Sequence, residues 1–221
     1  MTTPHAPKVY GRRKSRPLKQ HTQHLYETLL PKLIFDVQSV DIRELPKCCL
    51  EIGFGGGEHL AYQALKNPEV FYIGAEPFIN GVASLLKLID QHNIQNIRIW
   101  PNDIHLLFQS LPDQALFDNV YLLFADPWPK KRHHHRRFVQ DQTIERIHRY
   151  LKADGKWFVA TDHAPYREWI IEHFERHENL FTQIRGDVYA RPSPEDWPIT
   201  RYEEKGTQEG RQSAYFIYQK I

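Results

Sequence analysis

Asp126 is the acid that stands where a hydrophobic segment gives way to a strongly cationic one. Residues 124–137 read FADPWPKKRHHHRR, and eight cationic or titratable side chains follow the acid without another carboxylate among them. Pro127 and Pro129 stiffen this segment, and Trp128 offers a flat apolar face. An acid placed in this way could position a substrate or stabilise a developing positive charge. The plainer alternative is an Asp-Pro turn that only ends a strand.

The cationic run is too highly charged to be a core feature, and it suits contacts with the phosphates of a nucleic acid. Its members are Lys130, Lys131, Arg132, His133, His134, His135, Arg136 and Arg137. Three successive histidines could suggest a metal site. However, consecutive side chains point in different directions, and the neighbouring cations disfavour a divalent ion. We therefore predict no metal.

A glycine-rich turn lies earlier in the chain, where residues 50–60 read LEIGFGGGEHL. Gly53, Gly55 and Gly57 would let the backbone pass close to a ligand and present amides at a helix N-terminus. The dinucleotide-binding pattern requires a further glycine at position 58, where this chain has Glu58, a poor neighbour for a pyrophosphate. This difference argues against a nicotinamide-dependent oxidoreductase.

Three more acids belong to successive predicted strands or follow them. Glu51 precedes the glycine turn and suits a ligand with a positive ammonium or sulfonium group. Glu76 ends the second strand, where a carboxylate can bridge the hydroxyls of a ribose, and Asp103 could accept a hydrogen bond from an adenine amine. Together with the glycines, these acids resemble the S-adenosylmethionine site of Rossmann-like methyltransferases. Each acid taken alone could instead cap a helix.

The elements that must position these residues alternate along the chain. The predicted strands are residues 47–53, 70–76, 97–100, 118–126, 156–162, 181–189 and 213–220, the last two lying around a loop. The predicted helices are residues 57–66, 78–92, 138–151 and 165–177. Strands and helices that alternate with short connections predict a doubly wound α/β sheet, whose ligands bind beyond the carboxyl ends of the strands. The acids named above fall at that edge.

Composition and charge suit one domain with a basic extension. The 221 residues are 41% hydrophobic and 25% charged, which is ordinary for a globular protein. Residues 1–26 hold six of the 29 Lys and Arg residues and no acid, although the net charge of the chain is only +2. We predict that 1–26 is a flexible arm that meets a polyanionic partner first, and that 27–221 is a single catalytic domain. The arm could also be a solvated tail without a function.

Other features favour a cytoplasmic protein. No stretch approaches the ~18 apolar residues of a membrane span, and the beginning of the chain lacks the apolar core of a signal peptide. The two cysteines, Cys48 and Cys49, are adjacent within an apolar segment. They are typical of small buried residues and not of a disulfide framework or a zinc site.

Several motifs together resemble the bacterial tRNA (guanine-N7-)-methyltransferase family. They are DPWPKKRHHHRR, EIGFGGG, TRYEEKG at 200–206 and YGRRKSRPLKQ in the arm, and they cover most of the chain in order. The resemblance implies a Rossmann-like class I methyltransferase fold with a doubly wound, mostly parallel sheet and a final antiparallel strand. It implies transfer of a methyl group from S-adenosylmethionine to N7 of the variable-loop guanosine, position 46, of tRNA. The expected partner is then tRNA, and no membrane association is expected. The protein is expected to be a monomer or a homodimer.

The resemblance also assigns roles to single residues. The residues assigned to cofactor binding are Glu51, Gly53, Gly55, Gly57, Glu76, Asp103 and Asp126, and Asp126 is also the catalytic acid. The residues assigned to substrate binding are Lys130, Asp162, Thr200, Arg201, Tyr202 and Glu203. The residues assigned to RNA contact are Arg12, Arg13, Arg132, His133, His134, His135, Arg136 and Arg137. Asp162 could instead cap the helix that follows it, and residues 200–206 could be an ordinary polar loop.

The implied chemistry fits the residue types. Guanine N7 has an in-plane lone pair and no proton, so no strong general base is needed. Asp126 or Asp162 could accept hydrogen bonds from guanine N1–H and N2–H₂, and a nearby acid would stabilise the positive charge on the methylated ring. Two alternatives remain. One is a methyltransferase for an exocyclic amine of DNA or protein, although DPWP lacks the final aromatic of DPPY-type turns. The other is a non-catalytic RNA-binding module, which the intact acids disfavour.

Overall fold

The structure, a computed structural model, describes residue 13, residues 15–193 and residues 195–221. Arg12 and half of the predicted arm lie outside the described residues. The boundary predicted at residue 26 falls within a helix that begins at Gln20 and contributes Leu25 to the core. No helix in the described part of the chain is both long and apolar enough to cross a membrane.

Seven strands form one sheet. They are β1 (Cys48–Ile52), β2 (Phe71–Ala75), β3 (Ile97–Trp100), β4 (Phe117–Leu123), β5 (Leu151–Thr161), β6 (Phe181–Gln183) and β7 (Ala214–Lys220). Their order in the sheet is β3-β2-β1-β4-β5-β7-β6. The strands from β3 to β5 pair in parallel, and β7 is antiparallel to both β5 and β6. This topology confirms the predicted doubly wound, mostly parallel sheet with a final antiparallel strand.

The described helices cover both faces of the sheet. They are α1 (Gln20–Thr28), α2 (Leu30–Leu33), α3 (Glu58–Lys66), α4 (Ile79–His92), α5 (Ile104–Ser110), α6 (Asp141–Tyr150), α7 (Ala164–Glu175) and α8 (Arg201–Gln208), with 3₁₀ helices at Ile42–Glu44 and Lys131–Arg136. Helices α5, α6 and α7 contribute to the hydrophobic cluster on one face, and α1, α3 and α4 contribute to the cluster on the other. All five residues of β1 are buried as a result, which is typical of a central parallel strand.

The parallel strands end in register, so the residues that follow them meet at one edge of the sheet. Ile52 of β1 lies beside Ala75 of β2 and Leu122 of β4, and Ala75 lies beside Trp100 of β3. The ladder continues beyond the strand ends, because the amide of Gly53 donates to the carbonyl of Ala75 at 2.8 Å. The acids after these strands are therefore neighbours in space.

Three predicted strand bounds were wrong. β4 ends at Leu123 because Phe124 adopts a φ of +54°, which a strand cannot continue. β6 ends at Gln183, and residues 184–189 do not continue the strand, although Ile184 and Val188 each keep a backbone hydrogen bond with β7. β5 begins at Leu151 instead of 156, since its pairing with β4 resumes across a register shift.

Four helices were not predicted, namely α1, α2, α5 and α8. Helix α8 occupies residues that were predicted as a loop. Its start has a recognisable signal, the T-x-x-E spacing of Thr200 and Glu203, and the Thr200 hydroxyl accepts from the Glu203 amide at 3.2 Å. Helix α5 has only seven residues, so its apolar periodicity is weak.

Candidate active site

The glycine turn between β1 and α3 is open on one side and packed on the other. Gly53, Gly55 and Gly57 have φ values of +70°, +54° and +80°, which other residues rarely adopt. A β-carbon at Gly53 or Gly55 would meet nothing within 4 Å, whereas one at Gly57 would lie 2.8 Å from the Leu85 side chain. The turn thus rests against α4 and leaves room for a ligand along its open side.

Glu76 lies beside this turn at the end of β2. Its two carboxylate oxygens accept hydrogen bonds from the amides of Gly55 at 2.8 Å and Phe78 at 2.9 Å. Burial raises the pKa of Glu76; the two amide bonds oppose this, and the charges of Asp126 and Glu51 raise it further. Several acids therefore act on the same space, and their negative charge suits a cationic ligand.

Glu51 is buried and is held by a histidine that the sequence reasoning missed. Oε2 of Glu51 lies 2.7 Å from Nδ1 of His59, and the side chains of both residues are only 2% exposed. The Gln63 amide nitrogen lies 3.3 Å from Nε2 of His59, which fits an imidazole that donates from Nδ1 and accepts at Nε2. The available signal was the position of His59 in the first turn of the helix after the glycines.

The segment between β6 and α8 covers this buried pair. Trp197 is buried, and its ring centroid lies 4.8 Å from that of His59. The Gln63 side chain donates to the carbonyl of Asp196 at 2.6 Å, and the Arg191 guanidinium donates to the carbonyl of Trp197 at 3.0 Å. The Glu51–His59 pair is therefore shielded from water by a part of the chain that is distant in sequence.

Asp103 caps a helix, which was the alternative role considered for each acid in the sequence. Its Oδ1 accepts from the amide of His105 at 2.7 Å, at the start of α5. Its own carbonyl accepts from the Trp100 indole at 2.9 Å. These bonds hold the residue at the strand edge, and its role toward an adenine amine stays a prediction.

Asp126 lies exposed in a strained loop. Phe124 and Trp128, on either side of it, have φ values of +54° and +43°, and non-glycine residues with such values cluster at functional sites. The Phe124 ring lies 5.3 Å from the ring of Tyr202, centroid to centroid. Burial raises the pKa of Tyr202, and the negative charges of Asp162 and Asp126 add to this effect. The loop after β4 and the start of α8 thus face the same space.

Asp162, after β5, is anchored to the end of α8. Its Oδ2 accepts from Nε of Arg211 at 2.6 Å, and its Oδ1 lies 3.5 Å from the Tyr202 hydroxyl. The following helix is capped by His163 instead, whose Nδ1 accepts from the Tyr166 amide at 3.2 Å. The alternative of Asp162 as a helix cap is therefore wrong.

The residues of the predicted 200–203 site point in different directions. Glu203 is buried, and it accepts from Arg191 at 2.7 Å and from the Tyr215 hydroxyl at 2.5 Å. Arg201 is exposed and reaches the carboxylate of Glu58 at 3.4 Å. Tyr202 remains half exposed beside the loop of Asp126. The structure thus brings Arg201 and Tyr202 to the open side of the site and turns Glu203 inward.

The cationic run forms a short 3₁₀ helix with most of its charge outward. The exposed members are Lys130, Lys131, Arg132 and His135. Burial lowers the pKa of His133, and the charges of Arg136 and Arg132 lower it further, which favours the neutral ring at pH 7. Arg137 differs from the others because only 3% of its surface is exposed.

The end of the arm is bound at the start of α4, close to Glu76. The carbonyl of Arg13 accepts from the Ile79 amide at 3.0 Å. The side chain of Asn80 accepts from the Ser15 amide at 3.0 Å and donates to the Arg16 carbonyl at 2.8 Å. The described part of the arm therefore approaches the same edge of the sheet as the acids.

The fold and the arrangement of this edge define a class I methyltransferase. Among solved structures, the chain resembles the 16S rRNA methyltransferase KamB with a TM-score of 0.60 at 12% identity, covering 85% of this chain and 94% of that one. It resembles an rRNA methylase from Streptococcus thermophilus with a TM-score of 0.55 at 10% identity, covering 93% and 99%. At such identities the likeness concerns the fold alone. Within the described residues, no group of three or more His, Cys, Asp or Glu side chains is placed to hold a metal ion.

Sequence comparison narrows the class to a family. The family described as "Putative methyltransferase" matches residues 46–216. The tRNA (guanine-N(7)-)-methyltransferase of Agrobacterium fabrum is 42% identical, over 95% of this chain and 93% of its own length. That of Rhodospirillum rubrum is 39% identical, over 96% and 88%. The chain belongs to the tRNA (guanine-N7-)-methyltransferase family, which confirms the resemblance, and fold and family imply a methyl donor of the S-adenosylmethionine type.

Proposed function

We propose that this protein transfers the methyl group of S-adenosylmethionine to N7 of the variable-loop guanosine, position 46, of tRNA. The observation that carries the proposal is the meeting of two loops at one sheet edge. One is the open glycine turn beside Glu76, and the other is the strained loop that presents Asp126. The activity named for the relatives supports the same assignment.

The cofactor would lie along the glycine turn. Each oxygen of Glu76 accepts one amide, so the carboxylate retains lone pairs for the hydroxyls of a ribose. Asp103 would face the adenine, and the Glu51–His59 pair would supply negative charge for the ammonium end. When bound, S-adenosylmethionine supplies a methyl group on a positive sulfonium, which a lone pair can attack in line.

The target guanine would lie between the two loops. Asp126 would accept hydrogen bonds from guanine N1–H and N2–H₂, which fixes the orientation of the base. Its charge would also stabilise the positive ring that develops as N7 gains the methyl group. The ring of Tyr202, half exposed beside Phe124, offers a stacking surface for an unpaired base.

Binding of the tRNA backbone would rest on basic side chains around this edge. The exposed ones among the described residues are Lys130, Lys131, Arg132, His135, Arg201 and Arg13, and Arg12 would act with them. Contacts of this kind position the RNA and weaken with salt, while base contacts choose the target. In the free protein Glu203 and Asp162 are occupied by Arg191 and Arg211. We therefore assign these two acids to holding α8 against the site.

The direct test is mass analysis of nucleosides from an unmodified tRNA after incubation with the protein and methyl-labelled S-adenosylmethionine. We expect one labelled 7-methylguanosine per tRNA, and no label when the variable-loop guanosine is replaced by adenosine. The same assay with single-stranded DNA should give no product. Label on an exocyclic amine, or a cofactor-bound protein without any labelled tRNA, would contradict the proposal.

A further inference from the structure

Arg137 belongs to the cationic run by sequence but to the interior by structure. Only 3% of its surface is exposed, whereas Arg132, five residues earlier, is fully outward. Nε of Arg137 donates to the carbonyl oxygen of Pro127 at 2.9 Å. A phosphate could not reach this guanidinium without displacing the loop that it holds.

The guanidinium lies in an aromatic box built by α7. Its central carbon is 4.8 Å from the ring centroid of Trp169 and 5.4 Å from that of Tyr166, within the range of a cation–π interaction. Both rings are fixed in turn. The Trp169 indole donates to the carbonyl of Val139 at 2.7 Å, and the Tyr166 hydroxyl accepts from the Val139 amide at 3.3 Å. The cation is therefore held rigidly with respect to the sheet.

The backbone of Arg137 is also fixed. Its amide donates to the His134 carbonyl at 3.0 Å, and the side chain of Gln140 donates to the carbonyls of both residues, at 2.9 Å to His134 and 3.1 Å to Arg137. The residue thus ends the 3₁₀ helix in a single orientation. That orientation turns its side chain away from the exposed cations and under the loop of Asp126.

The bonded carbonyl belongs to the residue directly after Asp126. The loop contains two residues at positive φ, Phe124 and Trp128, and such conformations persist only where the surroundings determine them. Pro127 has no backbone N–H, so its carbonyl is the polar backbone group through which this residue can be held. A bond from a charged donor is about twice as strong as one between neutral groups.

We propose that Arg137 is a positioning residue for methyl transfer: by holding the Pro127 carbonyl it fixes the carboxylate of Asp126, and it makes no contact with RNA. This inference rests on the proposed function. It separates Arg137, which shapes the acceptor site, from the exposed members Lys130, Lys131, Arg132 and His135, which would bind RNA.

The test compares Arg137→Lys and Arg137→Gln with Arg132→Gln as a matched control from the exposed part of the run. Lysine keeps the positive charge in the aromatic box but lacks the Nε donor of the planar guanidinium. For each variant, kcat and KM for tRNA are measured at several salt concentrations with saturating cofactor. Hydrogen exchange of the peptide covering 124–131 and the thermal midpoint of unfolding are measured on the same samples.

We expect Arg137→Lys to lower kcat about 10-fold and Arg137→Gln about 100-fold, since a small misplacement of a reacting group has effects of this size. KM for tRNA and its salt dependence should stay at the wild-type values, and exchange in 124–131 should become faster. Arg132→Gln should instead raise KM for tRNA and reduce the slope of log affinity against log salt concentration by about one. It should leave the hydrogen exchange of the peptide 124–131 unchanged. If Arg137→Gln does not fold, Arg137→Lys decides by the same readouts.

A wild-type kcat in Arg137→Lys, or an unchanged exchange rate in 124–131, would overturn the inference. A raised KM with a shallower salt dependence would overturn it as well, because Arg137 would then be an RNA contact. These outcomes leave the proposed function intact, since the wild type remains active. A wild-type protein that methylates no tRNA would overturn the proposed function and this inference together.

Discussion

The loop after β1 and the loop after β4 meet at the same edge of the sheet, but they are held in different ways. The first is held by its own backbone and by near neighbours. Gly53 donates to Ala75, and Glu76 accepts from the amides of Gly55 and Phe78. Every one of these contacts lies within a strand–turn–helix unit or between two adjacent parallel strands. The glycine turn and Glu76 are therefore held by the backbone around them, whereas the Glu51–His59 pair is covered by Trp197.

The donors at the acceptor end are side chains instead of backbone amides. Pro127 is held by Arg137, and Asp162 is held by Arg211, which is 49 residues further along the chain. Glu203 is held by Arg191 and by the hydroxyl of Tyr215. The backbone thus builds the proposed cofactor half, whereas side-chain packing assembles the proposed acceptor half.

The largest effect is expected at the acceptor end, from Asp126→Ala. Because Asp126 is exposed, the domain should fold normally, and kcat should fall about 100- to 1000-fold through lost charge stabilisation and positioning. The kcat of Asp126→Asn should lie between the values for Asp126→Ala and the wild type, since the amide retains part of the positioning. Transfer of labelled methyl at saturating tRNA and cofactor measures the effect, and calorimetry should show cofactor affinity within a few-fold of wild type.

The matched control is Asp113→Ala, which removes an exposed acid paired only with Arg149 at 3.4 Å. Its turnover should equal that of the wild type. Near-normal turnover in Asp126→Ala would mean that the acid only forms the turn, and the catalytic role would then have to be sought around Asp162 and residues 200–203.

At the cofactor end, Glu76→Gln should weaken S-adenosylmethionine binding about 10- to 100-fold. The wild type should also show a pH dependence with a defined sign. Burial raises the pKa of Glu76, so the carboxylate becomes neutral at a higher pH than an ordinary glutamate. Affinity for the cationic cofactor should therefore fall as pH is lowered through that raised value, and the glutamine variant should lack this change.

Calorimetry between about pH 5 and 8 provides the measurement. The demethylated product, which keeps the ribose, serves as the comparison ligand and should show a pH dependence of the same sign. A wild-type affinity that does not change over this range would contradict the assignment of Glu76 to the cofactor.

The smallest effect is expected where the arm meets the cofactor end. Asn80→Ala removes the two hydrogen bonds that hold Ser15 and Arg16. We expect tRNA affinity to fall a few-fold and its salt dependence to become shallower, with cofactor affinity unchanged. Gln95→Ala, an exposed change beyond the other end of α4, should alter neither quantity. Replacing Arg12, Arg13 and Lys14 together by alanine should weaken tRNA binding as well; unaltered binding in both arm variants would make the arm a tail without a role.

Much of the sheet followed from short patterns in the sequence. The apolar run of β1 and the end of β3 before Asp103 were predicted correctly, and the end of β2 within one residue, because buried parallel strands are continuous apolar segments. Helices α5 and α8 were missed, the first for its length and the second because its charged surface resembles a loop. The T-x-x-E spacing at Thr200 was the signal that could have identified α8.

The sequence by itself determined the class of fold, the glycine turn and the row of acids at one sheet edge. It did so because strand and helix periods, and the turns between them, are set by neighbouring residues. Only the tertiary structure decided that Glu51 is paired with His59, that Glu203 faces inward, and that the Arg137 side chain is buried against the loop of Asp126. Charge patterns in a sequence do not reveal such burial, because a charged side chain can be buried only where packing brings a partner to it.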